Sequence, residues 1–316
     1  MLEEVVRDYK LFEGMTVDEL VQQMEKAWGF TAGKLAIGVK ILKEMIEDRE
    51  CVKFLSFPAN LVASGIRGVL KEMVKRKFVD VIITTCGTID HDIARSWKKY
   101  FHGFFTMNDQ ELYECGIKRL GNVLIPDESY GLIIEEKMSK LLLNLWNEGV
   151  KNISTRQLCW EIGKRVCKED SILYWAAVNK IPVYVPGIMD GAVGYQLWIF
   201  SQDHRDFKID LLEDAKELND IVFKAKKTGA LIIGGGISKH HTLWWNQFKD
   251  GLDYAVYITT AVEWDGSLSG AKPREAVSWG KIKGKAKYVT IEGDASIILP
   301  IIISSLIDRI SKTEKT

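Results

Sequence analysis

KFLSFPANLVASGIRGVLKEMVKRKFVDVIIT, Lys53 to Thr84, decides the fold class. Lys53–Phe57 is a short apolar run that stops at Pro58. Asn60–Lys77 carries apolar residues at helical spacing, and Val79–Thr84 is β-branched. A strand, a helix and a second strand of these lengths form a βαβ unit, whose strands pair in parallel. The rhythm continues toward the C-terminus. Residues 181–186 (IPVYVP), 230–233 (ALII), 254–258 (YAVYI) and 286–291 (AKYVTI) read as further strands. Residues 135–148, 156–166, 209–228 and, despite Pro300, 296–310 read as helices, and Gly187–Gly194 as a turn. Upstream, Thr16-Val-Asp-Glu19 fits a capping box that opens one helical stretch over 16–50. Residues 94–152 are mixed, and 111–130 cross a surface insertion. The expected architecture is α/β: a doubly wound, mainly parallel, Rossmann-like sheet with helices on both faces over 51–316. An N-terminal helical extension, 1–50, packs on it.

Composition excludes several classes of function. Lys plus Arg and Asp plus Glu both number 43 in 316 residues, so the net charge is zero. That leaves no electrostatic grip on nucleic acid or an anionic membrane. No run reaches the roughly 18 to 20 apolar residues of a membrane span. The longest late apolar run, Ile297–Leu306, is short and broken by Pro300. The N-terminus lacks the basic and apolar regions of a signal peptide. Cys51, Cys86, Cys115, Cys159 and Cys167 form no CxxC pair, which argues for free thiols in a reducing cytoplasm and against a metal site.

Ligands of parallel sheets bind beyond the carboxyl ends of the strands, so the turns there carry the interest. Gly234-Gly235-Gly236 follows a strand and reads either as a close approach for a pyrophosphate or as tight sheet–helix packing. No GxGxxG and no GxxxxGK[ST] is present. Asp90 and His91, after the turn Thr85–Thr88, read as a site wall or, preferably, a helix N-cap. His240 and His241 are adjacent and poorly placed to share a metal; one is a candidate proton carrier, with a surface or packing role as the alternative. Trp244-Trp245 reads as core or interface. The best chemical lead is EWDGSLSGAKPREAVSWGKI, Glu263–Ile282. Carboxylates and tryptophan faces suit an organic cation, and Lys281 beside them is a candidate Schiff-base nucleophile. The plain alternative is a surface loop with solvated charges.

Several motifs, in order, carry a resemblance to a known family. They are Asn60–Arg67 (NLVASGIR), Asp80–Thr85 (DVIITT), Gly116–Asn122 (GIKRLGN), Gly234–Gly236 with Lys239-His240-His241, Asp253–Thr260 (DYAVYITT) and Glu275–Lys281 (EAVSWGK). Together they resemble the deoxyhypusine synthases, most closely the archaeal type, from about Val6 to Leu306. The resemblance implies NAD-dependent transfer of the aminobutyl group of spermidine, through an enzyme-lysine imine, to one lysine of the hypusine-bearing translation factor precursor. It implies Lys281 as the imine-forming lysine and His240 at the reacting carbon. Trp279, Glu275, Asp90, Gly266 and Ser267 would hold the amine. Asn60, Thr85, Cys86, Gly87, Asp190, Gly235, Thr260, Ala261, Asp294 and Ala295 would contact NAD. It further implies a cytoplasmic homotetramer with sites at subunit interfaces.

The chain departs from the eukaryotic pattern. Tyr195 and Leu268 stand where aspartates are usual there, Trp244 where an asparagine is, and His91 where a glutamate is. Agmatine, whose guanidinium stacks on aromatic faces, is therefore a rival donor to spermidine. Transfer to putrescine, as in homospermidine synthases, and a non-catalytic subunit that activates a paralogue are the remaining alternatives. Retention of Lys281 counts against the last.

Overall fold

The computed structural model describes residues 4–313, so the outermost three residues of the expected ranges at each end lie outside the described residues. The chain forms two compact units. One comprises residues up to Ser56 together with those from Asp220 onward; the other is Phe57–Asn219. In chain order the first unit begins with α1 (Val17–Ala27), α2 (Thr31–Glu47) and β1 (Cys51–Ser56). The second holds α3 (Asn60–Ala63), α4 (Ile66–Lys75), β2 (Val81–Ile83), α5 (Cys86–Trp97), β3 (Phe101–His102), α6 (Asp109–Glu114), β4 (Ile117–Leu120) and β5 (Val123–Pro126). It continues with α7 (Gly131–Asn147), β6 (Asn152–Ile153), α8 (Thr155–Arg165), α9 (Ile172–Asn179), β7 (Val183–Tyr184), α10 (Ala192–Asp203) and β8 (Lys208–Ile209), and α11 (Leu211–Lys224) carries the boundary. The first unit resumes with β9 (Lys227–Ile233), α12 (Gly236–Gln247), β10 (Leu252–Thr259), α13 (Pro273–Ser278), β11 (Ile282–Glu292) and α14 (Ala295–Thr313).

Four strands of the first unit pair in parallel in the order β11-β10-β9-β1. A Cβ on Gly38 of α2 would lie 2.7 Å from Ile291 and 3.5 Å from Val256, and one on Gly229 of β9 would lie 2.6 Å from Met45 of α2. Glycine on both partners lets α2 sit directly on this face. Tyr257 follows Val256 in the strand and points to the opposite face. There Lys239 of α12 lies 4.3 Å from its ring centre. Helices thus cover both faces, and the α/β, mainly parallel class holds.

The expected helix over 16–50 is two helices. Trp28 and Phe30 adopt left-handed backbone (φ 59° and 52°) and fold α2 back on α1. The capping box is present: Glu19 N–H donates to Thr16 Oγ1 at 3.2 Å, and Thr16 N–H to Glu19 Oε2 at 2.8 Å. Asp18, also on α1, is 1% exposed and accepts from Ser305 (2.8 Å) and Arg309 of α14 and from Gln22 (2.8 Å). Burial alone would raise its pKa; the bonds from Arg309, Ser305 and Gln22 outweigh it and hold the carboxyl below its ordinary value. A depressed carboxyl stabilises fully above its unfolded pKa of about 3.9, and loses that contribution as pH falls through the folded value. Asp18→Asn is expected to lower stability by about 1–2 kcal/mol at pH 7. The gap between variant and wild type should narrow below about pH 4, as read from urea midpoints at the two pH values.

In the second unit β2 and β7 pair in parallel, β3-β5-β4 form an antiparallel sheet across the expected insertion, and β6 pairs with β8. The expected helix over 60–77 breaks at Ser64-Gly65 into α3 and α4. A buried hub ties α4, α5 and α9 together. Arg67 Nε donates to Asp92 Oδ1 at 2.7 Å, while the N–H groups of Ile172 and Leu173 donate to the same carboxylate at 3.2 and 2.8 Å. The turn expected at Gly187–Gly194 ends at Gly191, where α10 begins. Gly194 lies inside that helix because a Cβ would come within 2.4 Å of the Ile188 carbonyl. Among the described residues no helix is long and apolar enough to cross a membrane, and no group of three or more His, Cys, Asp and Glu could hold a metal.

Candidate active site

Residues 260–281 link β10 to β11, and their turns are shaped by glycines. A Cβ on Gly270 would stand 1.8 Å from the Val262 carbonyl, so this loop closes on itself only with glycine there. Pro273 opens α13, where its missing N–H costs nothing. Gly280, at φ +68°, ends that helix: Gly280 N–H donates to Val277 O at 3.0 Å and Lys281 N–H to Ala276 O at 2.9 Å. The Lys281 carbonyl in turn accepts from Leu252 N–H at 3.0 Å. Gly251 passes so close that a Cβ would lie 2.7 Å from the Lys281 carbonyl carbon. The Lys281 backbone is therefore pinned on both sides while its side chain enters a cavity of about 150 Å³.

The cavity walls come from every neighbouring element of the first unit. Helix α12 supplies Lys239 and Leu243, β10 supplies Tyr257, and the loop supplies Leu268, Ala271 and Lys272. Helix α13 and its exit supply Glu275, Ala276 and Trp279. The Lys281 ammonium nitrogen lies 5.1 Å from the Trp279 ring centre, a cation–π distance. Glu275 is the one carboxylate of this lining, and Lys272 is neutralised at 2.9 Å by Glu292. The Tyr257 hydroxyl is buried with no partner among the described residues. An unsatisfied buried hydroxyl costs about 1–3 kcal/mol, so its oxygen is available to a ligand of the cavity.

Lys281, Trp279 and Glu275 thus line one cavity, while Glu263–Ser267, Glu275 and Trp279 are exposed, as the plain reading of a surface loop expects. Gly266 (φ +71°) and Ser267 form the loop's tip, where Asp265 Oδ1 accepts from Ser267 N–H at 2.7 Å. The neighbouring Leu268 is a cavity wall. His240 and His241 lie on helix α12. His240 is exposed, stacked on Trp244 at 5.8 Å between ring centres, and is not among the cavity walls. His241 accepts from Trp245 Nε1 at 3.0 Å, and burial, then its neighbour His240, pushes its pKa down to about 4. The residue that sequence reading passed over is Lys239, one position before His240. It is 1% exposed and donates to the Ala271 carbonyl at 2.9 Å.

The cofactor candidates of the first unit, Gly235, Thr260-Ala261 and Asp294-Ala295, follow the carboxyl ends of the adjacent parallel strands β9, β10 and β11. Lys281 stands at the opposite end of β11 from Asp294. Gly235 serves packing: a Cβ would lie 2.0 Å from Ser269 Oγ. It also leaves the N-terminus of α12 without a side-chain cap. Asp294 caps α14 through Ser296 N–H (2.8 Å) and Ser296 Oγ (2.7 Å), bonds that hold its pKa down.

In the second unit Thr85 is the N-cap residue of α5, again with no side-chain cap bond, and Cys86-Gly87 form its first turn. A Cβ on Gly87 would meet Ala59 at 2.8 Å, next to Asn60 at the start of α3. Cys86 is fully buried, and burial, reinforced by Asp90, pushes its thiol far up, so it is inert. Asp190 is exposed in the turn after β7. The Asp90–His91 pair does not cap its own helix but lies inside α5. Asp90 accepts from Ala192 N–H (2.9 Å), Val193 N–H (2.8 Å) and the Tyr130 hydroxyl (2.8 Å), and so caps α10. Its carboxylate is 0% exposed and committed to these bonds. His91 meets the Tyr100 hydroxyl at 2.8 Å, and burial pushes its pKa down to about 4.

A family model described as deoxyhypusine synthase matches residues 19–306. A Picrophilus torridus protein is 55% identical over 304 residues, covering 96% of this chain and 97% of its own. The chain belongs to the deoxyhypusine synthase family. A Sulfurisphaera tokodaii relative is 53% identical over 311 residues, covering 97% of this chain and 98% of its own. Both relatives are described as "probable deoxyhypusine synthase". A solved structure from Entamoeba histolytica, described under the same activity, is 21% identical with a TM-score of 0.66, covering 96% of this chain and 97% of that one. At that identity it supports the fold alone. As a deoxyhypusine synthase family member the chain is a transferase of hypusine biosynthesis. Leu268 is a wall of its cavity, while Tyr195 is exposed on α10, stacked on Trp198 at 5.6 Å.

Proposed function

We propose that this enzyme transfers the aminobutyl group of spermidine to one lysine of the hypusine-bearing translation factor precursor, with Lys281 carrying the group as an imine. The observation that supports this most is the pinned Lys281 entering a cavity walled by Trp279 and Glu275. Lys281 supplies the nitrogen that takes the four-carbon unit. Glu275 pairs with a cationic nitrogen of the amine, and the Trp279 face packs along its chain. Tyr257 offers an unpartnered hydroxyl to the same ligand. Leu243, Leu268 and Ala276 give the cavity an apolar wall suited to the methylenes of the amine. The exposed His240 reaches a substrate only from outside these walls.

NAD, when bound, supplies the chemistry of withdrawing and returning a hydride. The uncapped N-termini of α5 and α12, each entered through a strand-to-helix turn, offer free amide N–H groups of the kind that hold a pyrophosphate. Asn60, Thr85, Cys86, Gly87, Asp190, Gly235, Thr260, Ala261, Asp294 and Ala295 are the residues proposed to hold it. Asp90, Gly266 and Ser267 complete the proposed amine site, Asp90 by fixing α10. A cytoplasmic homotetramer, and residues 1–50 as a helical extension on a catalytic domain over 51–316, belong to the same proposal.

The test is borohydride trapping with NAD and radiolabelled spermidine, with agmatine in parallel, followed by peptide mapping. Label at Lys281 from spermidine is the expected result. Label from agmatine alone replaces the donor, a substitution that the apolar Leu268 wall and the single cavity carboxylate would explain. No label from either amine overturns the proposal.

A further inference from the structure

Lys239 is buried in a way that folding alone does not require. Lysine is almost never fully buried unless paired, yet Lys239 is 1% exposed and no carboxylate pairs with it among the described residues. Its contacts are the Ala271 carbonyl at 2.9 Å and the face of Tyr257 at 4.3 Å from the ring centre. It also lies in the first turn of α12, where the helix dipole disfavours a cation. Tethering the loop carbonyl needs only a neutral N–H donor. What the position adds is an amine in the cavity that Lys281 also enters.

We propose that Lys239 is the proton acceptor of this site: as a free amine it takes the proton that the Lys281 ammonium releases before its nitrogen adds to a substrate imine. The inference rests on the proposed imine at Lys281. In the step, one N–H bond of Lys281 breaks and one forms on Lys239. The freed lone pair of Lys281 then bonds the carbon of the protonated imine, whose π pair moves to the imine nitrogen and neutralises it. The cavity volume of about 150 Å³ has room for a bridging water between the two amines.

The electrostatics agree. Burial, the largest influence, lowers the Lys239 pKa to about 8; Glu275 raises it in part and Lys272 lowers it further. At pH 7.5 roughly a quarter of the molecules would hold Lys239 as a free amine. The charged and titratable groups around it are Lys272, itself paired with Glu292, together with Glu275, Tyr257 and Lys281.

The experiment measures the single-turnover rate of adduct formation at Lys281 between pH 6 and 10, with NAD and spermidine, in wild type, Lys239→Met and Lys239→Arg. Lys239→Met is expected to slow the step about 100-fold at pH 7.5, to lose the rise in rate through pH 8, and to recover partly with added imidazole. Lys239→Arg is expected not to rescue, because a guanidinium yields no free base. If Met destabilises the fold, Lys239→Gln keeps a donor for the Ala271 carbonyl and carries the same expectation. A Met or Gln variant that is slower by one constant factor with the pH profile unmoved would overturn the proposal, as would full activity in Lys239→Arg. Absence of an adduct in wild type defeats the imine reading instead, so the two failures are distinct.

Discussion

Lys281→Ala leaves a folded protein that traps no amine: no borohydride-stable adduct, and turnover below about 10⁻³ of wild type. Lys281→Arg gives the same result, because an arginine retains the charge and offers no nucleophilic nitrogen. The loss is chemical and not conformational. The Lys281 side chain is half-buried with its ammonium 5.1 Å from the Trp279 ring centre, while its backbone bonds to Ala276 and Leu252 survive any substitution except proline. Far-UV circular dichroism and the urea midpoint should therefore match wild type within about 0.5 kcal/mol. An alanine variant that still forms an adduct, mapped to another lysine, would show that Lys281 is not the carrier.

The second large effect is on stability. Asp92→Ala is expected to cost about 3–5 kcal/mol, because it leaves a buried guanidinium and two buried N–H groups without their acceptor. Arg67 is 6% and Asp92 0% exposed, and Arg67 keeps a bond to Asp170 at 3.0 Å, which places the cost toward the lower end of that range. The control is Asp220→Ala, which removes an exposed i,i+4 pair with Lys224 and should change the urea midpoint by under about 0.5 kcal/mol. Similar midpoints for the two variants would mean that the hub does not anchor α4, α5 and α9.

Local signals in the sequence reach as far as interactions close along the chain. The capping box at Thr16, the β-branched strands and the glycine turn after β9 each depend on a few neighbouring residues, and each is present in the structure. Helix α10 was hidden because Gly187, Gly191 and Gly194 punctuate like a turn. Gly191 instead serves contact with a distant atom, since a Cβ there would lie 2.6 Å from Asp90 Oδ2, and Gly194 serves close packing on the Ile188 carbonyl. Asp90 was misplaced for the same reason, since its partners at 192 and 193 are about a hundred residues away. The breaks at Trp28–Phe30 and Ser64-Gly65 have no periodicity signal, since the apolar spacing runs through both. Lys281 was legible through its company, a tryptophan and a glutamate at helical spacing. Lys239 was not, because a lysine among polar neighbours carries no mark of burial; only the packing of α12 on β10 removes it from water.

The parallel pairing of β1 with β9, in register from Cys51 opposite Lys227 to Ser56 opposite Ile232, has a consequence for synthesis. As the chain leaves the ribosome, β1 emerges about 180 residues before β9 is complete. At about 5–20 residues per second it waits roughly 10 to 35 s for that partner. The contiguous Phe57–Asn219 unit can form its internal contacts in that interval, while the edge of β1 that pairs with β9 stays open. Nascent chains stalled between residues 60 and 220 are therefore the species most in need of a chaperone.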